Sequence, residues 1–158
     1  MRESQKNEPF ETPARSTIRG STRGHVASME ESNDDAVWIL SGMRHLLLVT
    51  TGWRSGEVRK AALPFWLDEA DHPIVVASYA GAAGHPGWYL NLEHRDVNGQ
   101  VQVRIQERAY TSAPDILDGD EYIAIWDAMT EDRPFYRDYQ ALTERRIPLV
   151  RLPDNTAV

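Results

Sequence analysis

Short apolar runs separated by turn signals dominate the chain. Residues 46–49 (LLLV), 61–66 (AALPFW) and 74–77 (IVVA) suit buried strands. Residues 101–105 (VQVRI) alternate apolar and polar, the pattern of a half-buried strand, and residues 107–111 pair nearby or continue it around a bend. Residues 147–152 (IPLVRL) close the series, with Pro148 favouring a strand entry or an edge. The expected strands are 46–51, 60–67, 73–78, 100–106, 108–114 and 147–152. Between and after them the spacing changes to one helical turn. Pro86 opens a short helix over 86–92 carrying Trp88, Tyr89, Asn91 and Leu92. Asp118 and Glu121 form a capping-box pattern ahead of Tyr122, Trp126 and Met129, which predicts a helix over 119–129. Pro134 opens a further helix over 134–143, with Tyr136 and Tyr139 on one face. Residues 25–32 fit a short helix, and residues 36–40 (AVWIL) fit either a strand or a helix end. The sum is a mainly antiparallel barrel with a few flanking helices, an α+β fold rather than a parallel sheet with helical crossovers.

Residues 1–23 have no period, carry Pro9, Pro13 and charges of both signs, and read as a mobile polar tail. Residues 24–158 then form a single domain, as a chain of 158 residues favours. A net charge of −7 argues against a nucleic-acid surface. The absence of cysteine removes disulfides and thiol chemistry. No apolar run reaches the ~18–20 residues of a membrane helix, and the first twenty residues have no apolar secretory core. A cytoplasmic protein is the expectation.

Against the acidic background, the stretch TTGWRSGEVRK between the first two apolar runs is locally cationic. Arg54, Arg59 and Lys60 sit in or beside one turn whose Gly52 and Gly56 permit positive φ, and Ser55 adds a hydroxyl. Such a turn holds a phosphate or carboxylate, or is a solvated hairpin tip. The stretch SYAGAAGHPG brings three glycines behind the third strand, a sign of close backbone approach or of a loose loop. Trp88 beside Asn91 offers stacking and hydrogen bonding to a planar ring, or packs the core. The five histidines form no HxxxH or HExxH pair, so no metal site is expected. Motifs of the GxSxG, GxxxxGKS and GxGxxG types are absent. The remaining inventory suits a flat anionic cofactor that brings its own chemistry.

LLLVTTGWRSGEVRK, then VVASYAGAAGHPGWYLNL, then FYRDYQALTERRIPLVRL, in that order, resembles the deazaflavin-dependent nitroreductase family over residues 24–152. The resemblance implies a six-stranded antiparallel split β-barrel and an oxidoreductase that uses coenzyme F-420, with FMN as the alternative cofactor. It implies hydride transfer to a small organic acceptor: a quinone, a nitroaromatic or an activated enone. A protein that binds the cofactor without turnover is the other reading of the same fold. Arg54, Ser55, Gly56, Arg59 and Lys60 would hold the phosphate and glutamyl tail. Ala77 and Ser78, with Tyr79 beside them, would meet the ring, and His85, Trp88 and Asn91 would line the groove. Ser78, Tyr136 and Tyr139 would serve the reduced acceptor. Trp53, Tyr79 and Arg133 depart from the commoner residues at their positions. The implied partners are the small acceptor and no nucleic acid, with peripheral membrane contact if the acceptor is a quinone, in a monomer or homodimer.

Overall fold

Strand β2 (Met43–Thr51) explains why its apolar run is continuous. Side chains on a strand point alternately to its two faces, and here both faces are covered. Leu46 and Leu48 enter the barrel core with Phe65, Val75 and Val103. Leu47 and Val49 face Val26, Met29 and Trp38 on the other side. Those residues come from helices α1 (Thr22–Glu31) and α2 (Asp35–Trp38), which precede the two-residue strand β1 (Ile39–Leu40). Residues 36–40 are thus a helix end followed by a strand. The computed structural model describes residues 4–6 and 22–156.

From β2 the sheet grows in both directions, and every pairing is antiparallel. Strand β3 (Val58–Leu67) pairs with β2 from Thr51↔Val58 to His45↔Pro64. Strand β4 (Pro73–Val76) pairs with β3. After helices α3 (Gly87–Glu93) and α4 (Arg95–Asn98), strands β5 (Val101–Ile105) and β6 (Arg108–Ser112) extend the other side. Strand β7 (Asp115–Ile116), helices α5 (Gly119–Asp132) and α6 (Phe135–Ala141), and strand β8 (Leu149–Arg151) complete the order β6-β5-β2-β3-β4-β8-β7. The sheet has eight strands where six were expected, because β1 and β7 are two-residue strands too short to leave a pattern.

Curling brings the far edges together. The Tyr110 hydroxyl donates to the Leu152 carbonyl at 2.8 Å, and Asn155 N–H donates to the Thr111 carbonyl at 2.9 Å. A second core cluster lies outside the barrel, where Met129, Phe135, Tyr136 and Tyr139 pack on Trp66, Ile74 and Leu149. Two strand ends fall short of expectation for local reasons. Strand β4 stops at Val76 because positive φ begins at Tyr79. Strand β8 starts at Leu149, just after Pro148, which has no N–H to give a ladder.

Residues 4–6, read from the sequence as tail, are docked on this body. Gln5 uses both atoms of its amide on Leu67, donating to the carbonyl at 2.8 Å and accepting from the N–H at 2.6 Å. The Gln5 backbone N–H donates to Asp132 at 2.9 Å, and its carbonyl accepts from Arg133 Nη2 at 2.8 Å. Removing the Gln5 amide leaves Leu67 without that pair. Gln5→Ala is therefore expected to lower unfolding free energy by about 1–2 kcal/mol. A urea midpoint identical to wild type would show that this contact does not hold in solution.

Candidate cofactor site

The β2–β3 hairpin turns within six residues. Gly52 N–H donates to the Glu57 carbonyl at 2.7 Å, and Gly56 N–H returns to the Gly52 carbonyl at 2.8 Å. Gly56 takes φ +73°, a region that L side chains rarely adopt. A Cβ on Gly52 would meet Ser55 Oγ at 2.6 Å, so the turn is also tight. Ser55 Oγ accepts from Glu57 N–H at 3.1 Å. This geometry sends Arg54 to the exposed tip and leaves Arg59 and Lys60 exposed on the β3 arm. Arg59 pairs with Glu57 at 3.1 Å, and Lys60 with Glu30 at 2.6 Å. Exposed pairs of this kind are weak and exchange readily for a better anion.

A cavity of about 300 Å³ lies between this hairpin and α3. Thr50, Trp53, Arg59, Lys60 and Ala61 line one side, and Gly87, Trp88, Leu90 and Asn91 the other. Four of the sequence-nominated residues, Arg59, Lys60, Trp88 and Asn91, therefore share one space, with Arg54, Ser55 and Gly56 on the same hairpin. Asn91 is buried and engaged on both amide atoms. Its Nδ2 donates to Thr50 Oγ1 at 3.0 Å, and its Oδ1 accepts from Trp53 N–H at 3.2 Å. Asn91 fixes the cavity wall as well as lining it. Trp53 lies between two partners, stacked on His94 at 4.2 Å and covered by the Arg54 guanidinium at 4.5 Å. The ring standing where a basic residue is common therefore carries a cation on its face.

The second group forms around the bend after β4. Ala77 and Ser78 are buried, and Tyr79, Ala80 and Gly81 follow with φ of +43°, +54° and +78°. A Cβ on Gly81 would meet the Tyr139 carbonyl oxygen at 2.8 Å, so glycine is required where α6 presses on the bend. Arg145, in the turn between α6 and β8, donates to the carbonyls of Ala77, Ser78 and Ala82 at 3.0, 2.8 and 2.9 Å. It also lies 3.1 Å from His85 Nδ1. Burial, and then the Arg145 charge, hold the His85 imidazole below its ordinary value, so the ring is neutral at pH 7 and accepts this hydrogen bond. His85 touches Tyr89 at 4.8 Å between ring centroids, and Tyr89 meets Trp88 edge-on at 6.3 Å. That chain of rings joins the bend to the cavity.

Tyr136 and Tyr139 stand elsewhere. They are 3% and 5% exposed, belong to the second core cluster and do not line the cavity. Burial pushes the Tyr136 hydroxyl up, against the opposing pull of Arg133, which hydrogen-bonds it. Sequence reasoning missed Asn98 and Arg145. Asn98 precedes a glycine in a polar stretch, and Arg145 sits in a charged run, so neither shows a period or a motif. Asn98 is the stitch between α4 and the hairpin. Its Oδ1 accepts from Thr51 N–H at 2.7 Å, and its Nδ2 donates to the carbonyls of Thr51 and Asn91 at 2.8 and 2.9 Å.

Exposed cations on a glycine turn, next to a wall of tryptophan and asparagine, fit a planar group with an anionic tail. Half-barrel and site together suit a cofactor-binding split barrel. A family model described as F420H(2)-dependent quinone reductase matches residues 21–154, and the chain belongs to that family. It is accordingly an F420-dependent oxidoreductase, and coenzyme F420 rather than FMN is its cofactor. A Mycobacterium tuberculosis protein named F420H(2)-dependent quinone reductase is 33% identical over 110 residues, covering 68% of this chain and 71% of the relative. A solved structure of an F420-H2 dependent reductase is 31% identical, with a TM-score of 0.58, covering 69% of this chain and 93% of its own. Another, described as a domain-swapped dimer, is 28% identical with a TM-score of 0.60, covering 83% and 96%. Among the described residues, no helix is long and apolar enough to cross a membrane.

Proposed function

We propose that this protein transfers hydride from reduced deazaflavin to a quinone-type acceptor, using the cavity between the β2–β3 hairpin and α3 to seat the cofactor. The observation that carries the reading is the juxtaposition of Arg59 and Lys60 with Trp88 and Asn91 around that one cavity. Arg54, Arg59 and Lys60 bind the phosphate and glutamyl carboxylates, with Ser55 and the Gly56 turn holding the loop's shape. The bend at Ala77, Ser78 and Tyr79 receives the ring, with His85 fixed beside it. When bound, the reduced cofactor supplies the hydride from a ring carbon. The chain's task is orientation and stabilisation of developing negative charge. Ser78 offers its hydroxyl to the reduced acceptor. Tyr139 and Tyr136 act from beneath, through the packing of α6 on the bend.

The hairpin cations act through binding. A hydrogen bond to a charged group contributes roughly 1.5–3 kcal/mol, so Arg59→Ala should weaken F420 affinity by about 10- to 150-fold. Glu57→Gln should strengthen it, because Arg59 no longer has a competing carboxylate at 3.1 Å. Fluorescence titration of both variants at low and high salt tests this, since an exposed ion pair is screened. Equal affinity in wild type and Arg59→Ala would reduce the hairpin to a solvated tip. Turnover with reduced F420 and menadione, against a nitroaromatic and an enone, tests the acceptor. Faster turnover of either alternative at matched concentration would overturn the quinone assignment.

A further inference from the structure

We infer that Arg145 is the positioning residue of the ring-binding bend, setting the backbone at Ala77 and Ser78 without touching the cofactor. The inference rests on the site proposed above.

The first observation is what Arg145 binds. Its guanidinium donates to three carbonyls within one bend, those of Ala77, Ser78 and Ala82, and meets His85 Nδ1. Among the described residues no carboxylate forms a salt bridge with it. A half-buried cation often takes an acid as partner; the hydrogen bonds of this one go to neutral acceptors. The fork of a guanidinium is suited to that, because its donors lie in one plane with fixed directions.

The second observation is what the bend requires. Tyr79 and Ala80 are non-glycine residues at φ +43° and +54°, a conformation disfavoured by contact between Cβ and the backbone. Such a bend persists only where its surroundings over-determine it. Arg145 grips the two peptide units that lead into it. A trans peptide places N–H opposite C=O, so holding the carbonyls of Ala77 and Ser78 turns the N–H groups of Ser78 and Tyr79 away from the guanidinium. Ser78 in the right-handed region followed by Tyr79 in the left-handed region is also the alternation that turns successive N–H groups to one side, toward negative charge.

The third observation is how Arg145 is itself held. Gln140 donates to the Arg145 carbonyl at 2.7 Å and accepts from Ile147 N–H at 2.9 Å. Gln140 lies on α6, one residue beyond Tyr139, whose carbonyl oxygen limits position 81 to glycine. The YxxYQ pattern of the sequence therefore ends in a residue that fixes the turn carrying Arg145. Helix α6 and the bend are connected at two points, by direct contact at Gly81 and through Gln140 and Arg145.

The test compares two ligands in three proteins by fluorescence titration: full F420, and the deazaflavin riboside that lacks the phosphate and glutamyl tail. Arg145→Lys keeps the charge but loses the fork, and should weaken the riboside by roughly tenfold or more, because the receiving backbone is no longer preorganised. Full F420 should weaken by the same factor. Arg59→Ala should weaken only the tailed ligand. At saturating F420, hydride transfer by Arg145→Lys should fall on the order of 100-fold, as a displaced reacting carbon demands. A purely structural role would lower the melting temperature while leaving riboside affinity of the folded protein, and hydride transfer at saturating F420, at the wild-type level. Gln140→Leu, which keeps the guanidinium and frees its turn, should show the same pattern at smaller size, and replaces Arg145→Lys if that variant does not fold. If wild type binds neither ligand, the proposed site falls and the inference with it. If wild type binds both, and Arg145→Lys (or Gln140→Leu in its place) binds the riboside as tightly as wild type does, Arg145 does not position the ring, and the inference alone is overturned.

Discussion

Asn98→Ala is expected to lower the unfolding free energy by about 3–5 kcal/mol, because one truncation breaks three hydrogen bonds and strands buried partners. Asn98 is 2% exposed, and its amide is the shared partner of Thr51 N–H, the Thr51 carbonyl and the Asn91 carbonyl. Thr51 is the last residue of β2, and Asn91 spans from α3 to Thr50 and Trp53. Losing Asn98 therefore loosens the junction of the hairpin with both short helices. Urea denaturation reads the stability loss. Cofactor affinity should fall as well, since the cavity walls are no longer tied together, whereas Gln5→Ala, at the far end of β3, should leave affinity intact. Asn98→Asp is the informative control. It keeps the acceptor for Thr51 N–H but turns the two donations to carbonyls into repulsions, so it should be at least as damaging as alanine. A variant Asn98→Ala as stable as wild type would mean that water replaces all three bonds.

What was legible in the sequence follows from which interactions leave a period. Strands β2 to β6 and helices α3, α5 and α6 bury one or two faces, and burial writes an apolar rhythm into the chain. The cationic hairpin was legible because glycines and arginines cluster there against an acidic background. The wall at Trp88 and Asn91 was legible through its motif. Strands β1 and β7 were not, since two residues make no rhythm. Asn98, Arg145 and Gln5 were not either, because each acts on backbone atoms far along the chain. The Arg145 carbonyl bonds span more than sixty positions, and the Gln5 contact with Leu67 spans 62. A backbone carbonyl has no residue identity, so nothing in the composition of the bend announces its partner. Tyr136 and Tyr139 illustrate the converse. Their spacing correctly places them on one helical face, yet spacing alone does not say whether that face covers a pocket or a core, and here it covers the core.

The same buried surroundings make the fold sensitive to mild acid. His45 is pushed down to about 4 from 6.5, chiefly by burial and then by the neighbouring charges of His25 and Arg133, with the Met43 carbonyl opposing. Its Nδ1 lies 2.9 Å from that carbonyl, and the His25 ring stands 5.1 Å away. The sign follows from proton counts. Between pH 6.5 and 4 the unfolded chain carries the His45 proton and the folded chain does not. Protons therefore favour unfolding, and stability falls as pH drops through that window. At about 1.4 kcal/mol per pKa unit the loss is on the order of 3 kcal/mol. His85, also held below its ordinary value, adds to the loss with the same sign. Asp132 acts lower still. Burial would raise its carboxyl, but hydrogen bonds from Ser4, Gln5 and Trp66 more than offset that, so its contribution disappears only below the ordinary carboxylate value of 3.8. Urea denaturation at pH 7.5 and at pH steps down to about 4.5 should show a decline that is smaller in His45→Gln, which keeps an N–H for the Met43 carbonyl and has nothing to protonate at position 45. The two proteins should converge as the pH falls, because wild type loses the His45 contribution there in addition to the His85 contribution that both share. A decline of equal size in His45→Gln would assign the acid sensitivity to other groups and would mean that His45 is already hydrated in the folded state.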